Sequence, residues 1–154
     1  MSPVSEMKMG KTDTLNGKVG KICFSRLSED EDLAEAIKKR AEENGLKAGV
    51  FLVIGALKEA VLGCYKAGQY EYIKLAGPLE IASCTGNVAV DEKGETIIHA
   101  HAVVSNEKGE AFGGHLMKGS HVGVTAEVAF IEAVGVNLQK VLDEKTNLKL
   151  LRLS

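Results

Sequence analysis

Asp91-Glu-Lys-Gly-Glu-Thr-Ile-Ile-His99-Ala-His101-Ala-Val-Val-Ser-Asn106-Glu-Lys-Gly-Glu-Ala-Phe-Gly-Gly-His115 is the stretch whose reading decides the fold. It carries one turn signature twice, at Asp91–Glu95 and at Asn106–Glu110, each between runs of β-type residues. A three-residue hairpin loop takes two right-handed residues and then a glycine in the left-handed region, and Glu-Lys-Gly fits that pattern both times. The two loops therefore predict two hairpins with a countable register. In the second, Asn106 pairs with Glu110, which sets Val103 opposite Gly113, His101 opposite His115 and His99 opposite Met117. In the first, Asp91 pairs with Glu95, which sets Asn87 opposite His99 and Thr85 opposite His101.

That register gathers chemistry. Side chains at i and i+2 share one face of a strand, so His99 and His101 are neighbours, and His115 stands across from them. Cross-strand Cβ atoms are roughly 4.5–5.5 Å apart, close enough for imidazoles to share one ion. His99, His101 and His115 are thus candidate ligands for a divalent metal, zinc foremost. Three histidines with an open fourth position is an arrangement typical of catalytic or exchangeable zinc. The fourth ligand is left open between water and a carboxylate. Glu59, Glu80 and Glu127 each interrupt an apolar strand, but surface-facing side chains account for them equally well. Asn87 and Thr85 are candidates to orient the imidazoles from behind. The plainer alternative is that histidines alternating with alanine on a strand are surface residues, and His121, with no cluster around it, is read that way.

Outward from this core the pattern stays β-rich. Gly20–Leu27 reads as a first strand, Ala48–Ile54 as a central one, and Gly55–Lys58 as a turn returning through Glu59–Tyr65. Tyr70–Leu75 follows, Gly77-Pro78 breaks the chain, and Leu79–Val90 resumes it. Val136–Leu142 is extended and Leu148–Leu153 closes as a strand or turn. The one long helix begins at a capping box, Ser28-Glu29-Asp30-Glu31, buries Leu33, Ile37 and Ala41, and stops at Asn44-Gly45. The expected fold class is α+β: a mainly antiparallel sheet with one long N-terminal helix packed on it and short additional helices or turns. Residues 1–15 read as a flexible tail and 16–154 as a single domain.

Bulk properties narrow the function classes. The chain has 154 residues, 45% hydrophobic and 26% charged, which suits one globular core. No apolar run reaches the roughly 18–20 residues of a membrane span, and no secretory leader is visible, so a cytoplasmic protein is expected. Cys23, Cys64 and Cys84 are too few and too scattered for a disulfide framework and read as buried and inert. Nineteen Lys plus Arg against 21 Asp plus Glu leave a charge of −2. Phosphate contacts supply most of the affinity of autonomous nucleic-acid binders, so this balance counts against strong independent DNA binding.

The runs Gly55-Ala-Leu-Lys-Glu-Ala-Val-Leu-Gly63, Gly77-Pro-Leu-Glu-Ile81, Thr85-Gly-Asn87, His99-Ala-His101, Gly113-Gly-His-Leu116 and Thr125-Ala-Glu-Val128 resemble the plants and prokaryotes conserved domain. The resemblance spans about Lys18 to Leu151. It implies a homotrimer, and a metal site formed by the same three histidines. In plants that domain follows AT-hooks in nuclear DNA-binding proteins, whereas this sequence contains no Arg-Gly-Arg-Pro hook. The resemblance extends at fold level to acetolactate decarboxylase, where a His-x-His pair and a distant histidine hold catalytic zinc; no arginine flanks the cluster here, the three present being Arg26, Arg40 and Arg152. Three readings of function follow. The first is a metal-binding protein with a DNA-associated, regulatory role. The second is a zinc enzyme acting on a small carbonyl or carboxylate compound, and the third a structural interaction module. Apolar strands such as Val50–Ile54, with few helices to cover them, independently favour an oligomer.

Overall fold

Both Glu-Lys-Gly loops form the hairpins their sequences call for. In a computed structural model describing residues 14–153, Gly94 and Gly109 take left-handed φ values of 80° and 76°. The side chain that opens each loop secures it: Asp91 Oδ1 accepts from the amides of Lys93 and Glu95, and Asn106 Oδ1 from those of Lys108 and Glu110, all at 2.9–3.0 Å. These local bonds satisfy loop amides that would otherwise compete with the ladder.

The strands are β1 (Lys18–Ser28), β2 (Gly49–Lys66), β3 (Gln69–Val90), β4 (Thr96–Ser105), β5 (Ala111–Leu116), β6 (His121–Val134), β7 (Leu138–Asp143) and β8 (Leu148–Leu153), with one helix, α1 (Leu33–Glu43), between β1 and β2. They form one sheet in the order β1-β6-β2-β5-β4-β3-β7-β8, with β2 also paired to β3. The long strands allow this double use. The first half of β2 lies between β6 and β3, while Leu62 and Gly63 in its second half pair with Leu116 and His115 of β5. The sheet thereby closes on itself through β2, β3, β4 and β5. Its inner side holds the core, which includes Phe51, Val53, Leu57, Leu62, Val88, Val104, Val122 and Phe130, all nearly inaccessible.

The architecture is mostly β rather than α+β: strands take 67% and helix 8% of the structure. The expected long N-terminal helix is 11 residues, and among the described residues no additional short helix accompanies it. Its apolar stripe is buried as read, through Leu33, Ala36, Ile37 and Ala41. The start was misplaced because Ser28–Glu31 is a turn, with Asp30 at a φ of 69° that a helix cannot contain. Ser28 still donates its amide to Glu31 Oε2 at 2.7 Å, one half of a capping box, but the N-cap is Asp32. Asp32 Oδ1 accepts from the Glu35 amide at 3.1 Å, and Oδ2 accepts from the Gly119 amide at 2.7 Å, tying the helix to the loop before β6. Asp32→Ala should therefore lower unfolding free energy by about 1–2 kcal/mol, the upper part of the range for a lost cap, as read from urea titration.

Two predicted interruptions are absorbed into strands. Gly55–Lys58 is no turn: β2 runs through it with register shifts between Val53 and Gly55 and between Leu57 and Glu59. Gly55, at a φ of 144°, lies against the Ala126 backbone, where a Cβ would come within 2.5 Å. Gly77-Pro78, a cis peptide, likewise sits inside β3. The expected extended C-terminal segments form the β7–β8 hairpin. The expected tail falls, from residue 1 to 13, outside the described residues. Among those described, no helix is long and apolar enough to cross a membrane.

Candidate metal centre

The hairpin register counted from the turns is the register observed. His101 pairs with His115 and Val103 with Gly113; Thr85 pairs with His101 and Asn87 with His99. No bulge interrupts either ladder beside the histidines. One expected pair fails. β5 ends at Leu116, and the Met117 amide donates to Val61 O at 3.1 Å instead of facing His99. His99 nonetheless joins the cluster: its ring lies 5.0 Å from that of His115 and 5.0 Å from that of His101, with His101 and His115 at 5.6 Å. One ring nitrogen from each lies within 4.8 Å of the others. Nitrogens bound to zinc at about 2.0–2.1 Å in a tetrahedral array sit roughly 3.4 Å apart, a contraction that small ring rotations supply.

Backbone choices make room for this cluster. Gly86, beside Asn87, packs on the His99 carbonyl and the Phe51 ring with no space for a Cβ. Gly63, opposite His115, leaves room for Tyr70, whose ring lies 5.0 Å from that of His115. Burial, then the charges of Lys140, His115 and His101, push the His99 imidazole down to about 4. His115 is lowered as well, by burial first and then by His101 and Lys140. Both rings are thus held in the neutral form that binds metal. Burial raises the Tyr70 hydroxyl above its ordinary value.

Among the described residues, two buried polar atoms here have no partner, His115 Nδ1 and Asn87 Oδ1. A buried polar atom left unpaired is costly, and their position beside three converging imidazoles is what a metal site with an outer hydrogen-bonding partner requires. The donor set, all nitrogen and without a carboxylate, suits zinc among divalent ions. Asn87→Ala should weaken zinc binding about 10–100-fold in competition with a chromophoric chelator, the usual cost of losing an outer partner. Thr85, the other residue expected in that role, is exposed opposite His101.

A cavity of about 460 Å³ opens beside the cluster, lined among others by Tyr70, Asn87, His99, His115 and Lys140. Tyr70 and Lys140 were not singled out by the sequence. Nothing in a Val-Asn-Leu-Gln-Lys segment signals proximity to a site 25 residues earlier, because the contact depends on one parallel pairing, Val90 with Gln139. The other expectations fare variously. His121 lies at the surface, outside the cluster, with its Nδ1 2.7 Å from Glu59 Oε1. Glu80 and Glu127 are exposed. Cys84 is buried, its thiol pushed up to about 12 by desolvation, but Cys23 is only partly buried and Cys64 is exposed.

Comparisons with known proteins agree on the lineage. A metal-containing protein of Archaeoglobus fulgidus is 32% identical with a TM-score of 0.81, the match covering 91% of this chain and 99% of that one. A plant- and prokaryote-conserved protein of Pyrococcus horikoshii is 31% identical with a TM-score of 0.83, covering 90% and 96%. The bifunctional protein GlmU of Synechococcus sp. (strain JA-3-3Ab) is 30% identical over 122 residues, 79% of this chain; the chain spans only 18% of that relative's length. The family model of the Plants and Prokaryotes Conserved (PCC) domain matches residues 14–134. The chain belongs to the Plants and Prokaryotes Conserved domain family.

Proposed function

We propose that this protein binds one divalent metal ion, zinc foremost, through His99, His101 and His115, and presents the remaining coordination position to the adjoining cavity. The observation that carries this is the convergence of three imidazoles, two of them held neutral, with two orphaned polar atoms around them. A description of the Archaeoglobus relative as metal-containing is consistent with it. A bound zinc supplies Lewis acidity, and the cavity supplies a place for a small molecule beside it. Among the three functional readings this favours a zinc protein acting on or sensing a small carbonyl or carboxylate compound. A DNA-associated regulatory role finds no support in the charge, since −2 offers no basic surplus.

Cobalt(II) tests the coordination directly. Titration into metal-free protein should give the intense visible absorption of a four-coordinate site, saturating at one equivalent. Weak absorption of the octahedral type, or none, would contradict the proposal.

A homotrimer, implied by the family, is proposed as the assembled form. Ile22, Phe24, Val50, Leu52 and Ile54 are each about half to three-quarters exposed. They lie on one face, in cross-strand rows Ile22–Ile131–Val50 and Phe24–Ala129–Leu52. Apolar surface of this extent usually marks an interface. The second row continues through Thr85 to His101 and His115, which places any partner seated there close to the metal position.

A further inference from the structure

The β7–β8 hairpin lies beyond the residues matched by the family model, which ends at residue 134. It is nevertheless fastened over the cavity from two sides. Tyr65 donates its hydroxyl to Thr146 O at 2.8 Å, and Lys149 Nζ reaches Asp91 Oδ2 at 3.5 Å. This placement brings Lys140 into the cavity wall with only 5% of its surface exposed. Among the described residues the ammonium of Lys140 has neither an ion-pair nor a hydrogen-bond partner, and no acidic side chain lines the cavity. Its stem is buried while the unpaired ammonium meets the cavity space, so an anion entering the cavity would find a cation there with no competing counter-charge. Lys140 lines the same cavity as His99 and His115, so an anion held by it lies on the side of the histidine cluster. The rest of the wall is mainly aliphatic, with Ile98, Leu148 and Leu150 facing the same space, and the second lysine in it, Lys149, is already paired with Asp91.

We infer that Lys140 is the anion-binding group of this cavity and that it holds the carboxylate of a small molecule with a short aliphatic chain, next to the open metal position. The inference rests on the proposed metal site for the identity of the neighbouring group, and on Lys140 alone for the charge. A carboxylate offers two oxygens, enough for one to accept from the ammonium while the other faces the metal position, and the aliphatic chain replaces water against Ile98 and Leu150. The cavity has the volume of an ordinary small-molecule site.

Isovalerate is a suitable probe, with isoamyl alcohol as its uncharged counterpart. Calorimetric titration into cobalt-loaded and into metal-free protein should show isovalerate binding in preference to the alcohol. Lys140→Met fills the same buried volume without charge and should retain one cobalt per chain and its spectrum. Its isovalerate affinity should fall by about thirtyfold or more, the low end for removing one partner of a desolvated charge pair, while Lys140→Arg should retain most of it. Failure of isovalerate to bind the wild type, or equal binding by Lys140→Met, would overturn the inference. Failure of the metal site would show separately, as no cobalt spectrum in any of these proteins. Calorimetry on metal-free protein then decides for the lysine alone: binding lost in Lys140→Met supports it, and absent or unchanged binding overturns it.

Discussion

Protein in which His99, His101 and His115 are all replaced by alanine should hold no zinc after exposure to excess metal, and His101→Ala alone should weaken zinc binding by more than about 100-fold. The second figure exceeds the 10–100-fold cost of losing an outer partner because a ligand itself is removed. The effect should be nearly pure. His101 is exposed, and His99 and His115 are half-buried in the wall of an open cavity rather than in the core, so truncation opens no closed internal void. Metal-free wild type and metal-free triple variant should accordingly unfold at similar temperatures near pH 7.5, where the lowered imidazoles of His99 and His115 are neutral. Added zinc should raise the melting temperature of the wild type only, since an ion that binds the folded state alone stabilises it by mass action. Competition with a chromophoric chelator and differential scanning calorimetry measure the two parts. Zinc-dependent stabilisation of the triple variant would show that the metal is held elsewhere.

Phe130→Ala should produce the largest loss of stability, about 3–5 kcal/mol, without direct effect on the metal position. Phe130 is wholly buried on β6, between Cys23 of β1 and Phe51 of β2, with its ring 5.9 Å from that of Phe51 in an edge-on arrangement. Truncation removes the transfer free energy of the ring and leaves a cavity that three hydrogen-bonded strands cannot collapse to fill. At about 2–4 °C per kcal/mol for a chain of this size, the melting temperature should drop by roughly 10 °C. Zinc affinity measured well below that temperature should stay within a few-fold of wild type, because the hairpins carrying the histidines do not contain this residue. A loss under about 1 kcal/mol would mean that the inner side of the sheet is not the continuous core described.

The two halves of the structure were legible to different degrees for a physical reason. The hairpins could be counted because Asp91, Asn106, Gly94 and Gly109 settle the loop geometry locally, and a strand's period of two then carries the register outward without error until a bulge intervenes. No bulge occurs between either loop and the histidines, so the pairs of His101 with His115 and Asn87 with His99 follow from turn chemistry alone. The pair of His99 with Met117 failed where β5 ends and the chain turns to reach Val61. Long-range features were hidden for the same reason in reverse. Gly55 and Gly77-Pro78 carry turn-like residues, yet in β2 and β3 they serve bends within strands, and only the partner strand reveals which. The helix was over-read because Ser28 and Glu31 look like a capping box; Asp30 in the left-handed region makes them a turn, and the helix begins only after Asp32. Lys140 was invisible because its role depends on a hairpin packed by Tyr65 and Lys149 from distant segments.

The central claim is that three histidines on two adjacent strands hold a metal. Elemental analysis of untagged, freshly purified wild-type protein tests it most directly, with the triple alanine variant prepared beside it. About one zinc per chain, absent from the variant, is the result this account predicts; no metal in the wild type even after zinc is supplied, or equal metal in both, would contradict it.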